Sequence, residues 1–242
     1  MSIWGKLLGG FGGFAIGGPL GAIIGAVAGH AVDRLHSAQA EDGDATKTVA
    51  FTIGVVVLGA KMAKADGQVT PDEIEAFKQV FRVPPEEVKN LARVFDQARK
   101  DSHGFEPYAR QIASMLEGDP AVLEELLFCL TFIVRADGEL NADEKAYLKT
   151  ISDIFGLDQT AFERVTAIRY EPDRADPYQI LGVPRTISNP ELKAAYRKLV
   201  RDNHPDRLIA QGMPEEFIDL ANRKLAAINV AYDAVAAQRG LQ

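Results

Sequence analysis

Apolar and polar positions divide the chain into three stretches of different character. Residues 7–32 carry no formally charged side chain, and His30 is their only ionisable group. Gly5, Gly9, Gly13, Gly17, Gly21, Gly25 and Gly29 recur at every fourth position. As a helix, these 26 residues at about 1.5 Å each reach roughly 39 Å, more than a bilayer core of about 30 Å. In water each glycine costs a helix about 1 kcal/mol against alanine. In lipid a glycine stripe lets two helices approach closely. The pattern predicts one membrane-spanning helix within residues 1–35, kinked at Pro19. It would pair with a second copy through Gly9, Gly13, Gly17, Gly21, Gly25 and Gly29. Two other readings stay open: a flexible glycine-rich tail, and a cleavable signal peptide ending near Ala26-Val27-Ala28. Lys6 and Arg34 lie on opposite sides of the run, so charge does not orient it.

A polar linker is predicted over residues 36–48, with Glu41, Asp42 and Asp44. Helical spacing of apolar residues then recurs in Phe51–Ala65, Glu73–Phe81, Pro85–Arg99, Phe105–Leu116, Ala121–Ala136, Glu144–Phe155 and Thr160–Ile168. Pro84-Pro85, Ser102-His103-Gly104 and Gly118-Asp119-Pro120 punctuate these segments. Strand-like alternation is not sustained, so residues 49–170 are predicted to form a helical bundle in an all-α chain. The bundle holds an internal repeat. Ala65-Asp66-Gly67 ends one helix and Ala136-Asp137-Gly138 another; Thr70 and Asn141 then suit N-caps, with Glu73 and Glu144 three residues on, as in a capping box.

In the third stretch, residues 176–242, Asp176–Val183 predicts a short helix and its exit. Ser188 and Glu191 form a second capping-box pattern around Pro190, which suits the first helical position. The helix they open is predicted to run to about Asp202, with Leu192, Tyr196, Leu199 and Val200 on an apolar face. Lys193, Arg197, Lys198 and Arg201 stand at spacings of three and four on the opposite face. Pro205 disfavours helix at His204, so His204-Pro205-Asp206 begins a loop continuing through Leu208–Met213. A last helix is predicted from near Pro214 to Ala237, its inward face formed by Phe217, Leu220, Ala221, Leu225, Ile228, Tyr232 and Val235. The two long helices make an antiparallel hairpin.

Composition narrows the function. The formal charge of −7 argues against nucleic acid as a partner. Residues 176–242 nevertheless hold 9 Lys and Arg against 8 Asp and Glu, leaving 18 against 26 in the rest. This locally basic segment in an acidic chain suits an acidic partner. Cys129 is the only cysteine, which excludes an intrachain disulfide and a cysteine-based zinc site. No nucleophile–base constellation, phosphate loop or histidine-rich metal motif is present, so the chain does not read as an enzyme.

Two resemblances follow from these residues. The duplicated turns of residues 49–170 resemble the TerB family, named for tellurite resistance. That resemblance implies a divalent cation on acidic side chains at the turns, with Asp66, Asp72, Glu73, Asp137, Asp143 and Glu144 as candidates; the same residues suit helix capping, and both readings stay open. No other cofactor is implied. His204-Pro205-Asp206 with its flanking helices resembles a J-domain, which implies a co-chaperone that stimulates ATP hydrolysis by a DnaK-type chaperone. His204, Pro205, Asp206, Lys193, Arg197, Lys198 and Arg201 are then its partner-binding residues. Asn203 stands where an aromatic residue is frequent, and Arg207 where lysine is usual. The order of apolar N-terminus, TerB-like bundle (49–170) and J-domain (176–242) is similar to membrane-anchored bacterial J-proteins of the DjlA-like branch. It implies a single-pass inner-membrane protein with the J-domain in the cytoplasm and clients the sequence does not name. The alternative is a TerB-like metal-binding sensor or adaptor with an accessory J-domain.

Overall fold

The computed structural model describes residues 17–28, 43–65, 85, 88–100, 104–116, 119–133, 140–170, 174–211 and 213–241. Among them every regular element is helical. In chain order they are α1 (Gly18–Ala28), α2 (Gly43–Ala65), α3 (Val88–Lys100), α4 (Glu106–Met115), α5 (Pro120–Thr131), α6 (Ala142–Ile154), α7 (Gln159–Tyr170), α8 (Pro177–Leu181), α9 (Asn189–Asp202), α10 (Pro205–Ala210) and α11 (Ile218–Gln238). A 3-10 turn, Glu215–Phe217, leads into α11.

The bundle is organised around α2. Residues 51–62 of this helix are buried on every side, as expected of a helix apolar all round. Helices α3, α4 and α5 pack on it. The Tyr147 hydroxyl of α6 donates to the Leu58 carbonyl at 2.8 Å, and the Tyr170 hydroxyl of α7 donates to the Thr131 carbonyl at 2.9 Å. Helix α2 begins at Gly43, so residues 43–48 of the predicted linker are helical. The predicted helix over Glu73–Phe81 lies outside the described residues, as do Asp66, Gly67, Thr70, Asp72 and Glu73 of the first repeat. In the second repeat, Asn141 caps α6: its side chain accepts from Glu144 N at 2.9 Å, and the Glu144 carboxylate accepts from Asn141 N at 2.9 Å.

The predicted kink at Pro19 is replaced by a helix start. A continuous helix through Pro19 is not found; α1 starts at Gly18, whose φ of +71° is a left-handed conformation that glycine alone adopts freely. Pro19 therefore lies in a first turn, where its missing N–H costs no hydrogen bond. Leu20 and Ile23 are buried in the bundle core, and α1 packs on α3 and α4. Gln111 of α4 clamps its start: Oε1 accepts from Leu20 N at 3.0 Å, and Nε2 donates to the Gly17 carbonyl at 2.6 Å. Gly9, Gly13 and Gly29 lie outside the described residues. Among the described residues no helix is long and apolar enough to cross a membrane.

A second core joins α8, α9 and the later part of α11 through Tyr178, Ile180, Leu181, Leu192, Ile228, Ala231 and Val235. Asp176 caps α8, and Gly182 ends it with φ +67°. Ser188 and Glu191 form a capping box on α9. Pro190 follows Asn189 as the second rather than the first helical residue, still among the positions whose N–H has no intrahelical acceptor. The Tyr196 and Tyr232 rings stack at 3.9 Å. The Arg239 guanidinium ties the end of α11 to the α8–α9 connection, donating to the Arg185 carbonyl at 2.8 Å and the Ile187 carbonyl at 2.7 Å.

Two expectations for the hairpin change. The segment after His204 is helical at once: α10 takes Pro205–Ala210, because Pro205 has a preset φ and needs no acceptor in a first turn. The buried stripe of α11 includes Lys224 and Ala231, while Leu225 and Tyr232 are only half-buried. The stripe is rotated because the first turns of α11 face the bundle rather than α9.

Candidate functional site

The connector between α9 and α11 is built from a stop, a cap and two anchors. Helix α9 ends at Asp202, and Asn203 folds back, its Nδ2 donating to the Leu199 carbonyl at 2.9 Å. His204 is extended, with φ −69° and ψ 128°, as expected before proline. It is the N-cap of α10, and its Nδ1 accepts from Asp206 N at 3.3 Å. This bond places the ring lone pair on Nδ1 and the N–H on Nε2. Pro205 and Leu208 are buried beneath the connector. The side chains of His204 and Asp206 are 49% and 86% exposed. The tripeptide thus presents an imidazole edge and a carboxylate on a backbone fixed from below.

Lys193, Arg197, Lys198 and Arg201 are exposed along α9. Lys198 and Arg201 turn toward Asp202, with Nζ at 2.8 Å from Oδ2 and Nε at 3.4 Å from Oδ1; Arg207 reaches the same carboxylate from α10. No ion pair is found for Lys193 or Arg197 among the described residues. A shallow cavity of about 450 Å³ lies between Tyr196, Arg197, Val200, Arg201, His204, Asp206 and Arg207. It joins the predicted basic helix to the predicted tripeptide. Asp202 and Arg207, which fix that junction, are not among the residues the sequence predicts for the site, although Lys198 and Asp202 stand at the i,i+4 spacing that pairs on a helix.

Partial burial pushes the Asp202 carboxyl up, but the hydrogen bonds and charges of Lys198, Arg201 and Arg207 outweigh it and hold the group below its ordinary range. Because the folded value is lowered, the stabilisation is fully present above the unfolded value of about 3.9 and is lost as pH falls through the folded value. Carboxyl-carbon chemical shifts should therefore place the Asp202 titration below that of an unpaired aspartate. Asp202→Asn should remove this contribution to the acid limb of the unfolding curve. A normal titration for Asp202 would exclude the three-cation clamp.

The acidic residues of the repeats are placed less completely. Asp143 is exposed, while Glu144 is buried and engaged in its capping box. Asp137 lies outside the described residues with Asp66, Asp72 and Glu73. Among the described residues no three His, Cys, Asp or Glu side chains come together as a cation site.

Comparison with known proteins divides the chain in the same order. Residues 1–49 match the family described as the co-chaperone DjlA transmembrane domain. Residues 52–167 match the tellurite resistance protein TerB family, and residues 176–238 the DnaJ domain. The chain is 28% identical to the co-chaperone protein DjlA of Photobacterium profundum, over 99% of this chain and 100% of that protein. Identity is also 28% to the Coxiella burnetii protein of that name, over 98% of both chains. It is 26% to that of Escherichia coli K12, over the full length of both. No solved structure matches the chain.

Proposed function

Because the chain belongs to the DjlA co-chaperones, membrane-anchored J-domain proteins that are not enzymes, we propose that it stimulates ATP hydrolysis by a DnaK-type chaperone through the His204–Asp206 connector and the basic face of α9. The observation that carries this reading is the exposure of His204 and Asp206 on a backbone held by buried Pro205 and Leu208, beside the exposed Lys193 and Arg197. The cations steer the domain toward an acidic surface, and the connector then favours the chaperone conformation in which ATP is cleaved. The work done by this chain is differential binding, with no bond made or broken in it.

The experiment is ATP turnover by a DnaK-type chaperone with the full chain added. Stimulation is expected, with half-saturation rising as salt rises. Arg197→Glu should raise the half-saturating concentration about tenfold, an effect on encounter and affinity of roughly 1.4 kcal/mol. It should leave stimulation at saturation nearly intact. An Arg197→Glu curve that overlays the parent would remove the basic face from the mechanism.

The anchor is the segment over residues 1–35, crossing the inner membrane once and leaving the J-domain with cytosolic ATP. Residues 7–17 span roughly 16 Å as a helix, short of the bilayer core of about 30 Å. The span must therefore include α1, and Leu20 and Ile23 leave the bundle when it inserts. The four-residue glycine stripe offers the face on which two copies would pair. Full-length protein is expected to resist carbonate extraction from membranes, and a chain lacking residues 1–35 to be soluble. Release of the full chain by carbonate would rule out a spanning anchor.

A further inference from the structure

The helix that completes the J-domain serves two cores. Its later residues, Ile228, Ala231 and Val235, pack with α8 and α9. Its start, Leu220 and Ala221, belongs to the bundle core, together with Leu208, Met213 and Phe217 from the connector side. The Phe217 ring meets Phe51 of α2 edge-on at 5.1 Å. Between the halves sits Lys224, with no exposed surface.

Lys224 is held by two carboxylates of α5. Its Nζ is 3.0 Å from Glu124 Oε1 and 3.3 Å from Glu125 Oε2. Glu124 also accepts from Arg164 Nη1 of α7, at 2.8 Å to each oxygen. Arg164 reaches back across the seam, its Nε donating to the Ile180 carbonyl of α8 at 2.9 Å. The bundle thus contributes a guanidinium that grips the J-domain backbone, and the J-domain contributes an ammonium that grips the bundle. Close by, a Cβ at Gly182 would lie 2.4 Å from Thr160 Cγ2, so α7 and the end of α8 meet without room for a side chain.

Apolar contacts and buried charges do different things at such a seam. Phe217, Leu208 and Met213 favour closure in any register that hides them. Buried charges tolerate only the register that pairs every one, since an unmatched one carries a large desolvation cost. We propose that Glu124, Glu125, Arg164 and Lys224 form a register lock that joins the bundle and the J-domain into one body and fixes the direction in which the His204–Asp206 connector faces. The proposal goes beyond the co-chaperone reading and does not depend on it, because its readout is a distance.

The test uses the full chain carrying nitroxide labels at Lys145→Cys on α6 and Ala194→Cys on α9, both exposed, diluted with unlabelled chain. Cys129 is buried and stays unlabelled. The parent should give one narrow distance. Lys224→Ala should broaden it severalfold, and Lys224→Met combined with Glu125→Gln should restore it by removing the cation and its private partner together. Circular dichroism accompanies each variant; if Lys224→Ala loses its helical signal, Lys224→Met alone takes its place with the same broadening expected. A broad distribution in the parent, a narrow one after the single change at Lys224, or failure of the paired change to restore it would each overturn the lock.

Discussion

Replacing His204 with glutamine is expected to reduce stimulation of the chaperone's ATP hydrolysis at least thirtyfold, equivalent to roughly 2 kcal/mol of lost coupling at a central contact. The reason is local. The imidazole caps α10 through Nδ1 and remains about half exposed. Glutamine can accept the same amide bond, but on a longer, freely rotating chain, so it cannot hold a flat donor in that place. The fold should survive: Pro205 and Leu208, which hold the connector, are untouched and buried. Unfolding free energy should therefore shift by less than about 1 kcal/mol. Single-turnover ATP hydrolysis beside an unfolding curve separates the two effects. Undiminished stimulation by the variant would end the proposed role of the connector, and equal losses in both measurements would reassign His204 to folding.

Lys224→Ala should cost about 3–5 kcal/mol of unfolding free energy, the range for stranding a buried partner of an ion pair. Glu124 would keep Arg164, but Glu125, which has no exposed surface and among the described residues only Lys224 as a cation partner, would be left alone. Burial already pushes the Glu125 carboxyl above its ordinary range, with Lys224 opposing it. Losing Lys224 raises it further. A raised folded value means the native state holds the proton more tightly, so stability falls as pH rises from the unfolded value of about 4.3 through the folded one. The deficit of the variant should therefore be greater at pH 8 than at pH 5 in denaturant titrations. Lys224→Met with Glu125→Gln should recover most of it. A deficit independent of pH would mean that the lost methylenes, rather than the charge, carried the effect.

The long helices on either side of the connector were legible because their determinants are short-range, whereas α10 within it was expected as loop. Ser188 and Glu191, and Asn141 and Glu144, are three residues apart and form capping boxes whatever surrounds them. Pro205 restricts His204 through a steric contact between neighbours. The basic face of α9 follows from spacing alone. Less was legible where partners are far apart. Lys224 reads as a surface lysine by type, and Glu125 is 99 residues away from it. A signal did exist: Glu124 and Glu125 interrupt the apolar run Val122–Leu127, and carboxylates in so apolar a helix require buried cations. Which cations they meet is not encoded nearby.

Sequence by itself determined the long helices of the hairpin, the capping boxes at Ser188 and Asn141, the exposed tripeptide and the order of the three segments, because periodicity, proline sterics and capping act over a few residues. Tertiary structure alone decided that α1 lays Leu20 and Ile23 on the bundle, that Asp202 gathers three cations under the connector, and that Lys224 closes a seam between two cores. These depend on which surfaces meet across the fold, where the cost of burying a charge or an apolar face is settled by partners the local chain does not contain.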